Sequence, residues 1–281
     1  GSLDEVFGLR SANGEVLTRL GLNRLKRRDG DKPVFLFIFY MDPHWEFVPP
    51  APYDRKYSQD GRLPPIGIWK KKANEVPQEM RARTVDAYDA EIAFCDHAVS
   101  NLISQIAASP RGDKTIFAVM GDHGEGFWER GYGSHGNNLY DDELAVPLII
   151  RPPRGDGSYK PGAVVKGTVG AIDVAPTILD LAGVGIPDVW EGISRKSLLR
   201  GGTVADAKVV SETRIAPEQG WMRSVRTNRW KIIAVEPFES PCEVYDLVAD
   251  PGETHNLADG QGGLPSGIED LVPLLKPLGD K

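Results

Sequence analysis

Residues 34 to 41 (VFLFIFYM) form an unbroken apolar and aromatic run behind Pro33. A run of that length and character predicts a strand buried on both faces of a mostly parallel sheet, and it ends in Asp42, Pro43 and His44. From residue 84 to 108, Val85, Tyr88, Ile92, Cys95, Val99, Leu102 and Ile106 recur at spacings of three and four. That spacing predicts a helix with one apolar stripe, stopped by Pro110 and Gly112. A second buried-strand run at 115 to 120 leads into Gly121, Asp122, His123, Gly124 and Glu125, and a third occupies 146 to 150. Asp173 stands where an N-cap belongs, ahead of a short helix over 174 to 182 with Pro176 in its first turn and Gly183 as its stop.

Beyond about residue 205 the texture changes. Short strand candidates at 209 to 213, 221 to 227, 230 to 235 and 243 to 247 alternate with turn residues and predict a small antiparallel sheet. Asp250, Pro251 and Gly252 make a turn, and 267 to 278 is a candidate last short helix. The order strand, helix, strand argues an α/β fold. The expected division is therefore an α/β part over residues 1–204 and a small α+β subdomain over 205–281.

Composition narrows this little. With 281 residues, 41% hydrophobic and 26% charged, the chain reads as an ordinary globular protein with a sizeable core. A net charge of -7 disfavours a general nucleic-acid or anionic-membrane surface. No apolar run approaches the roughly 20 residues of a membrane helix, and Gly1 and Ser2 read as a cloning remnant, so the lack of a leader is silent about export. Two distant cysteines, Cys95 and Cys242, build neither a disulfide framework nor a cysteine zinc motif.

Ligands of open α/β sheets usually bind beyond the carboxyl ends of buried strands. Asp42 and His44 follow the first strand, Asp122 and His123 the second, and His135 lies in the glycine-rich loop after it. An adjacent Asp and His can both reach one divalent cation where the chain turns, and Gly121 and Gly124 permit a turn. The same pair equally suits a capped turn with a loop histidine. His44 and His135 suit proton donation or contact with a tetrahedral anion, or plain loop positions. His97 and His255 read as surface residues, Cys95 as a packing residue, Arg111-Gly112-Asp113 as a turn, and Trp221, Trp230 and Tyr245 as core of the last sheet.

Five blocks carry a family resemblance: MDPHWEFVPP (41 to 50), AYDAEIAFCDHAVSNLI (87 to 103), MGDHGEGFWERGYGSHGNNLYDDELAVPLIIRPP (120 to 153), IDVAPTILDLAG (172 to 183) and EVYDLVADPGETHNL (243 to 257). In content and order they resemble sulfatases of the alkaline-phosphatase superfamily, from about residue 15 to 260. The resemblance implies a mostly parallel sheet flanked by helices, with a small carboxyl-terminal antiparallel sheet. It implies Asp122 and His123 as metal ligands, His44 as a contact to the ester that assists the leaving oxygen, and His135 as a contact to the sulfate. It implies hydrolysis of a small-molecule or carbohydrate sulfate monoester with one divalent ion, calcium or manganese. His123, where many sulfatases have asparagine, leans toward manganese.

Sulfatases also carry an amino-terminal metal-binding Asp pair and a C-x-P-x-R signature whose cysteine becomes formylglycine. Neither is in this sequence. Cys95 is followed by Asp96 and His97, Cys242 by Glu243 and Val244, and the P-x-R echo at Pro152 to Arg154 has Ile150 in the nucleophile position. Asp141 and Asp142 fall after the SHG block and do not replace the missing pair. The expectation is a fragment inactive alone, with formylglycine only in a missing amino-terminal part and an exposed sheet edge awaiting a complementary amino-terminal segment. Two alternatives stand beside it: a phosphonate or phosphate ester hydrolase or phosphoryl transferase of the same superfamily, and a catalytically dead binding module. A periplasmic or extracellular location is the family expectation.

Overall fold

A computed structural model describes residues 13–27, 32–58, 60, 68, 71–155, 157–204, 207–216, 220–258 and 263–276, with the side chains of 215 and 216 left out. Gly1, Ser2 and the end of the predicted last helix, 277 and 278, lie outside them. Two compact units emerge, Gly1–Thr115 with Phe127–Gly133, and Ile116–Gly126 with Ser134–Lys281.

The first unit is built on two helices. Helix α1, Gly14–Lys26, was not evident from the sequence pattern; the Asn13 side chain caps it by accepting the Val16 amide, with Glu15 in its first turn and Arg24 and Lys26 in its last. Helix α2 runs Gln78–Ala107, longer than predicted at its start. Its buried face is not the predicted stripe. Thr84, Ala87, Glu91, Phe94 and Ala98 are buried, each one position before Val85, Tyr88, Ile92, Cys95 and Val99, and Ile92 is exposed. One residue is about 100° around a helix. At Ala98 a small side chain lets α1 approach closely: a Cβ on Gly14 would stand 3.1 Å from Ala98 Cβ. The Thr18 hydroxyl also donates to the Ala98 carbonyl at 2.9 Å.

The run at 34 to 41 departs from expectation. It is extended but is no strand, and it has no ladder partner among the described residues. Leu36, Ile38 and Tyr40 are half-buried, Tyr40 sharing a hydrogen bond with Thr18 at 2.8 Å. On the other face, Phe35 is 79%, Phe37 74% and Phe39 51% exposed. Alternation makes a strand face, but only hydrogen-bonded neighbours make a strand. A separate cluster of Phe47, Ile68, Val76, Ala87 and Trp128 forms this unit's core.

In the second unit, β1 (Phe117–Met120) pairs antiparallel with β2 (Leu148–Arg151), Phe117 opposite Arg151 and Met120 opposite Leu148. Between them lies a single helical turn, α3, Asp141–Leu144. Helix α4, Val174–Leu181, begins as predicted, but Asp173 does not cap it. The Asp173 carboxylate accepts the Ile193 amide and the Arg195 Nε instead, at 2.9 and 2.7 Å, tying down the chain beyond the helix.

The carboxyl-terminal sheet follows the sequence closely: β3 (Val209–Ala216), β4 (Gly220–Arg226), β5 (Trp230–Val235) and β6 (Glu243–Asp246) form an antiparallel meander in chain order. Its two faces bury different partners, as alternation along β5 requires. Ile232 and Ala234 join Val225, Val244, Ile268, Leu271 and Leu275. Ile233, between them, joins Leu139, Tyr245 and Leu247, with Tyr140 and Leu144 packed alongside. The second face thus holds the segment around α3. The predicted last helix is a short 3-10 turn, Val272–Leu275. Trp221 is 40% exposed beside Arg214 rather than in the core, while Tyr245 is buried as expected.

Candidate functional site

The turn after β1 is shaped by glycine. A Cβ on Gly124 would fall 2.1 Å from the Asp142 carbonyl oxygen, so only glycine lets this turn lie against α3. The Gly124 amide donates to the Glu143 carbonyl at 2.7 Å. Asp122 and His123 stand in that turn, half-exposed, the Asp122 carboxylate accepting the His123 amide at 3.0 Å.

Each imidazole here has one nitrogen committed. His123 Nδ1 lies 2.7 Å from the Gly124 carbonyl, so Nδ1 carries the proton and donates, and Nε2 keeps its lone pair. His123 Nε2 is 3.8 Å from Asp122 Oδ2. Two ligands of one ion, each roughly 2.1 Å from it, stand about 3 to 4 Å apart, and a backbone carbonyl on the second nitrogen is the usual way a metal-binding histidine is oriented. The pair fits as two donors. Among the described residues no group of three or more His, Cys, Asp and Glu is placed to hold an ion, so these residues alone do not complete a shell.

His135 stacks on His123, ring centroids 3.9 Å apart and planes at 29°. Its Nδ1 meets both oxygens of Glu125 at 3.1 Å, which places the Nδ1 proton on the carboxylate side and leaves Nε2 for a ligand. The Glu125 side chain is 6% exposed. Asp122, His123 and His135 are thus brought together in the second unit, and Glu125 joins them. The GDHGE spacing contained Glu125, but nothing in the pattern marked it as a histidine partner.

Glu143 was not singled out by the sequence either. Its buried carboxylate accepts the Gly136 amide and the Asn138 side-chain amide. Burial, opposed by the Gly136 amide and reinforced by Asp142, pushes its carboxyl up to about 7. Asp141 serves structure. Arg226 Nη2 and Lys231 Nζ reach it at 3.0 and 2.9 Å, and Lys231, fully buried, also meets Glu253 at 2.7 Å. Burial raises the Asp141 carboxyl, yet hydrogen bonds from Arg226 and the charge of Lys231 outweigh it and hold the group below its ordinary range.

His44 belongs to the first unit. Its Nδ1 lies 2.5 Å from the Trp45 carbonyl, so Nδ1–H donates and Nε2 is left for other contacts. Beneath this loop Glu91, buried on α2, accepts the Val48 amide at 2.7 Å. Burial, partly offset by that bond and reinforced by Asp42, pushes Glu91 up to about 7. Asp42 accepts the Gly14 amide at 2.8 Å. Burial and the charges of Asp42, Asp96 and Glu91 push the Cys95 thiol up to about 11, which disfavours the thiolate and suits a packing residue. His97 and His255 are exposed, as expected.

Among known proteins, the sulfatase family model matches residues 11–184. A second model, N-sulphoglucosamine sulphohydrolase, C-terminal, matches 133–265. An arylsulfatase of Clostridium perfringens is 26% identical over 84% of this chain and 52% of its own length. A delta 4,5-hexuronate-2-O-sulfatase of Bacteroides thetaiotaomicron is 32% identical over 57% of this chain and 34% of its own. The phosphonate monoester hydrolase of Agrobacterium radiobacter shares the fold, with a TM-score of 0.71 at 20% identity over 88% of this chain and 57% of that one. The chain spans about half the length of the arylsulfatase and less of the hexuronate sulfatase. The α/β fold is shared with solved structures of sulfatases and phosphonate hydrolases, and the sulfatase family generally employs a divalent metal and formylglycine. Matched by the sulfatase model over more than half of its residues and in the order of its sequence blocks, this chain belongs to the sulfatase family.

Proposed function

We propose that this chain supplies the carboxyl-terminal half of a sulfate monoester hydrolase, acting on a small-molecule or carbohydrate sulfate and completed by a complementary amino-terminal segment. The observation that carries the reading is the stacked His123–His135 pair beside Asp122, each ring fixed through Nδ1 and each keeping Nε2 for a ligand. Asp122 and His123 would hold one divalent ion, with manganese favoured over calcium by the imidazole donor. When bound, that ion neutralises charge on the sulfuryl oxygens. His135 Nε2 contacts the sulfate, its orientation held by Glu125. His44 would donate to the departing ester oxygen as the imidazolium, passing on its Nε2 proton while Nδ1–H stays engaged by the Trp45 carbonyl. Residues 1–204 would form the chain's α/β part and residues 205–281 a small α+β subdomain, in the periplasmic or extracellular setting expected of the family.

A phosphonate or phosphate ester hydrolase is the second reading, favoured by the fold shared with a phosphonate monoester hydrolase and by the Asp-His pair. A third, a module that binds but does not react, predicts no metal at Asp122 and His123.

The test measures 4-nitrophenyl sulfate and phenylphosphonate ester turnover, with metal content, on the chain alone and mixed with an amino-terminal sulfatase segment. Metal and sulfate turnover in the mixture, lost in Asp122→Ala, support the proposal. Phosphonate turnover alone moves it to the second reading. Neither activity nor metal overturns both.

A further inference from the structure

Glu143 is 3% exposed, yet it is a carboxylate with both oxygens engaged. Oε2 accepts the Gly136 amide and Oε1 accepts Asn138 Nδ2. Asn138 Oδ1 in turn accepts the Tyr140 amide at 2.9 Å, so the loop from 136 to 140 wraps the carboxylate. The same residue's carbonyl accepts the Gly124 amide, one residue past His123. One side chain and its own backbone therefore join the turn that bears Asp122 and His123 to the loop that bears His135. Packing alone asks for none of this. A Leu or Met would fill the volume, whereas only a carboxylate offers acceptors to two donors of one loop without adding a donor of its own. Left unsatisfied in a buried site, those donors would carry their full desolvation penalty.

We propose that Glu143 is a positioning residue: its buried carboxylate clamps the loop at Gly136 and Asn138 and thereby sets the His135 ring against His123. Gly136 has φ near +80°, a conformation the clamp helps to hold, and it directly follows His135. The carboxyl-terminal sheet stands behind the clamp, since Leu139, Tyr140 and Leu144 pack on its face through Ile233 and Tyr245, and Tyr140 donates to Glu243 at 2.7 Å. Sheet, α3 and His135 loop form one mechanical path. The functional meaning of the clamp rests on the proposed role of His135, but the clamp can be tested without substrate.

The experiment is two-dimensional NMR of the side-chain nitrogens and carbons of the five labelled histidines in the chain, comparing wild type, Glu143→Gln and Asn138→Ala. Glu143→Gln places an NH2 against one of the two loop donors. The expected result is that His135 and His123 ring signals move by several linewidths in Glu143→Gln, and by less in Asn138→Ala, while His97 and His255 stay in place. Unmoved His135 and His123 signals in either folded variant overturn the proposal. So does movement of all five histidines together in folded protein, which would mark a global role. Should Glu143→Gln not fold, Asn138→Ala decides, because it removes one arm and leaves the buried carboxylate intact. Metal and turnover measurements address the role of His135 itself, so the two ideas fail separately.

Discussion

Two stretches with the same local pattern meet opposite fates in this molecule. In β5, Ile232, Ile233 and Ala234 are at most 1% exposed, the strand lying between β4 and β6 and covered on both faces. In the run from 34 to 41, an even richer apolar sequence stays unpaired, with Phe35, Phe37 and Phe39 open to solvent. β-branched and aromatic residues favour an extended backbone in both. What separates them is the source of the partners: β5 finds them within about twenty residues along the chain, whereas no described residue supplies a ladder for 34 to 41. Met120 and Ile149 on the β1–β2 pair are exposed in the same manner. An exposed aromatic edge of this kind is a template for pairing with another chain.

The largest effect expected of any test of this contrast is at Lys231. Lys231→Met would take the Lys231 cation from buried Glu253, leave Asp141 with Arg226 alone, and destabilise the second unit by about 3–5 kcal/mol. Hydrogen exchange should show β4 to β6 deprotected and α1 and α2 unchanged. An equal loss in both units would mean that they unfold together.

Next in size is a pH effect in the other unit. Burial raises Glu91 from 4.5 to about 7, so the folded state binds the proton more tightly than the unfolded one. Its contribution is fully present below about 4.5 and is lost as pH rises through about 7. The first unit should therefore lose on the order of 2–3 kcal/mol between those values. Glu91→Gln should flatten that slope in exchange-detected stability. An unchanged slope would show that Glu91 is not the group responsible. Asp141, held below its ordinary range, has the opposite sign: its contribution is present above about 3.8 and disappears as pH falls through its lowered pKa.

A finer probe of the closed sheet is Ile232→Val, expected to cost about 1 kcal/mol in urea unfolding. A cost near zero would mean that the site collapses to fill the space. The smallest change in stability is expected at Phe37→Lys, under about 0.5 kcal/mol, because the ring touches little. Sedimentation should nonetheless show less self-association, since a lysine on an unpaired edge opposes strand pairing. A loss of 2 kcal/mol or more would erase the contrast between the two stretches.

Within the site, the residues divide by how far their chemistry depends on neighbours in the chain. Asp122 and His123 were legible as neighbours in one turn between glycines. His135 was legible as a histidine in a glycine-rich loop, but not as the ring stacked on His123. Glu125 and Glu143 were silent, because acidic residues near glycines look alike whether they are exposed or wrapped around donors. The helix stripe was misplaced by one residue for a related reason. Hydropathy favoured Val85, Ile92 and Val99, whereas close packing against Gly14 and Thr18 rewarded Ala98, and the Val48 amide engages Glu91.

By itself the sequence determined the elements whose causes are local. These are the carboxyl-terminal meander, set by alternation and turns, the body of α2, set by its three-four periodicity, and the family, set by ordered motifs. Tertiary structure alone decided which face of α2 is buried, which carboxylates hold the His44 and His135 loops, and whether an apolar run becomes a strand. Each of those depends on donors, acceptors or small side chains brought from elsewhere in the chain. A linear pattern records what a segment could bury, and only packing records what meets it.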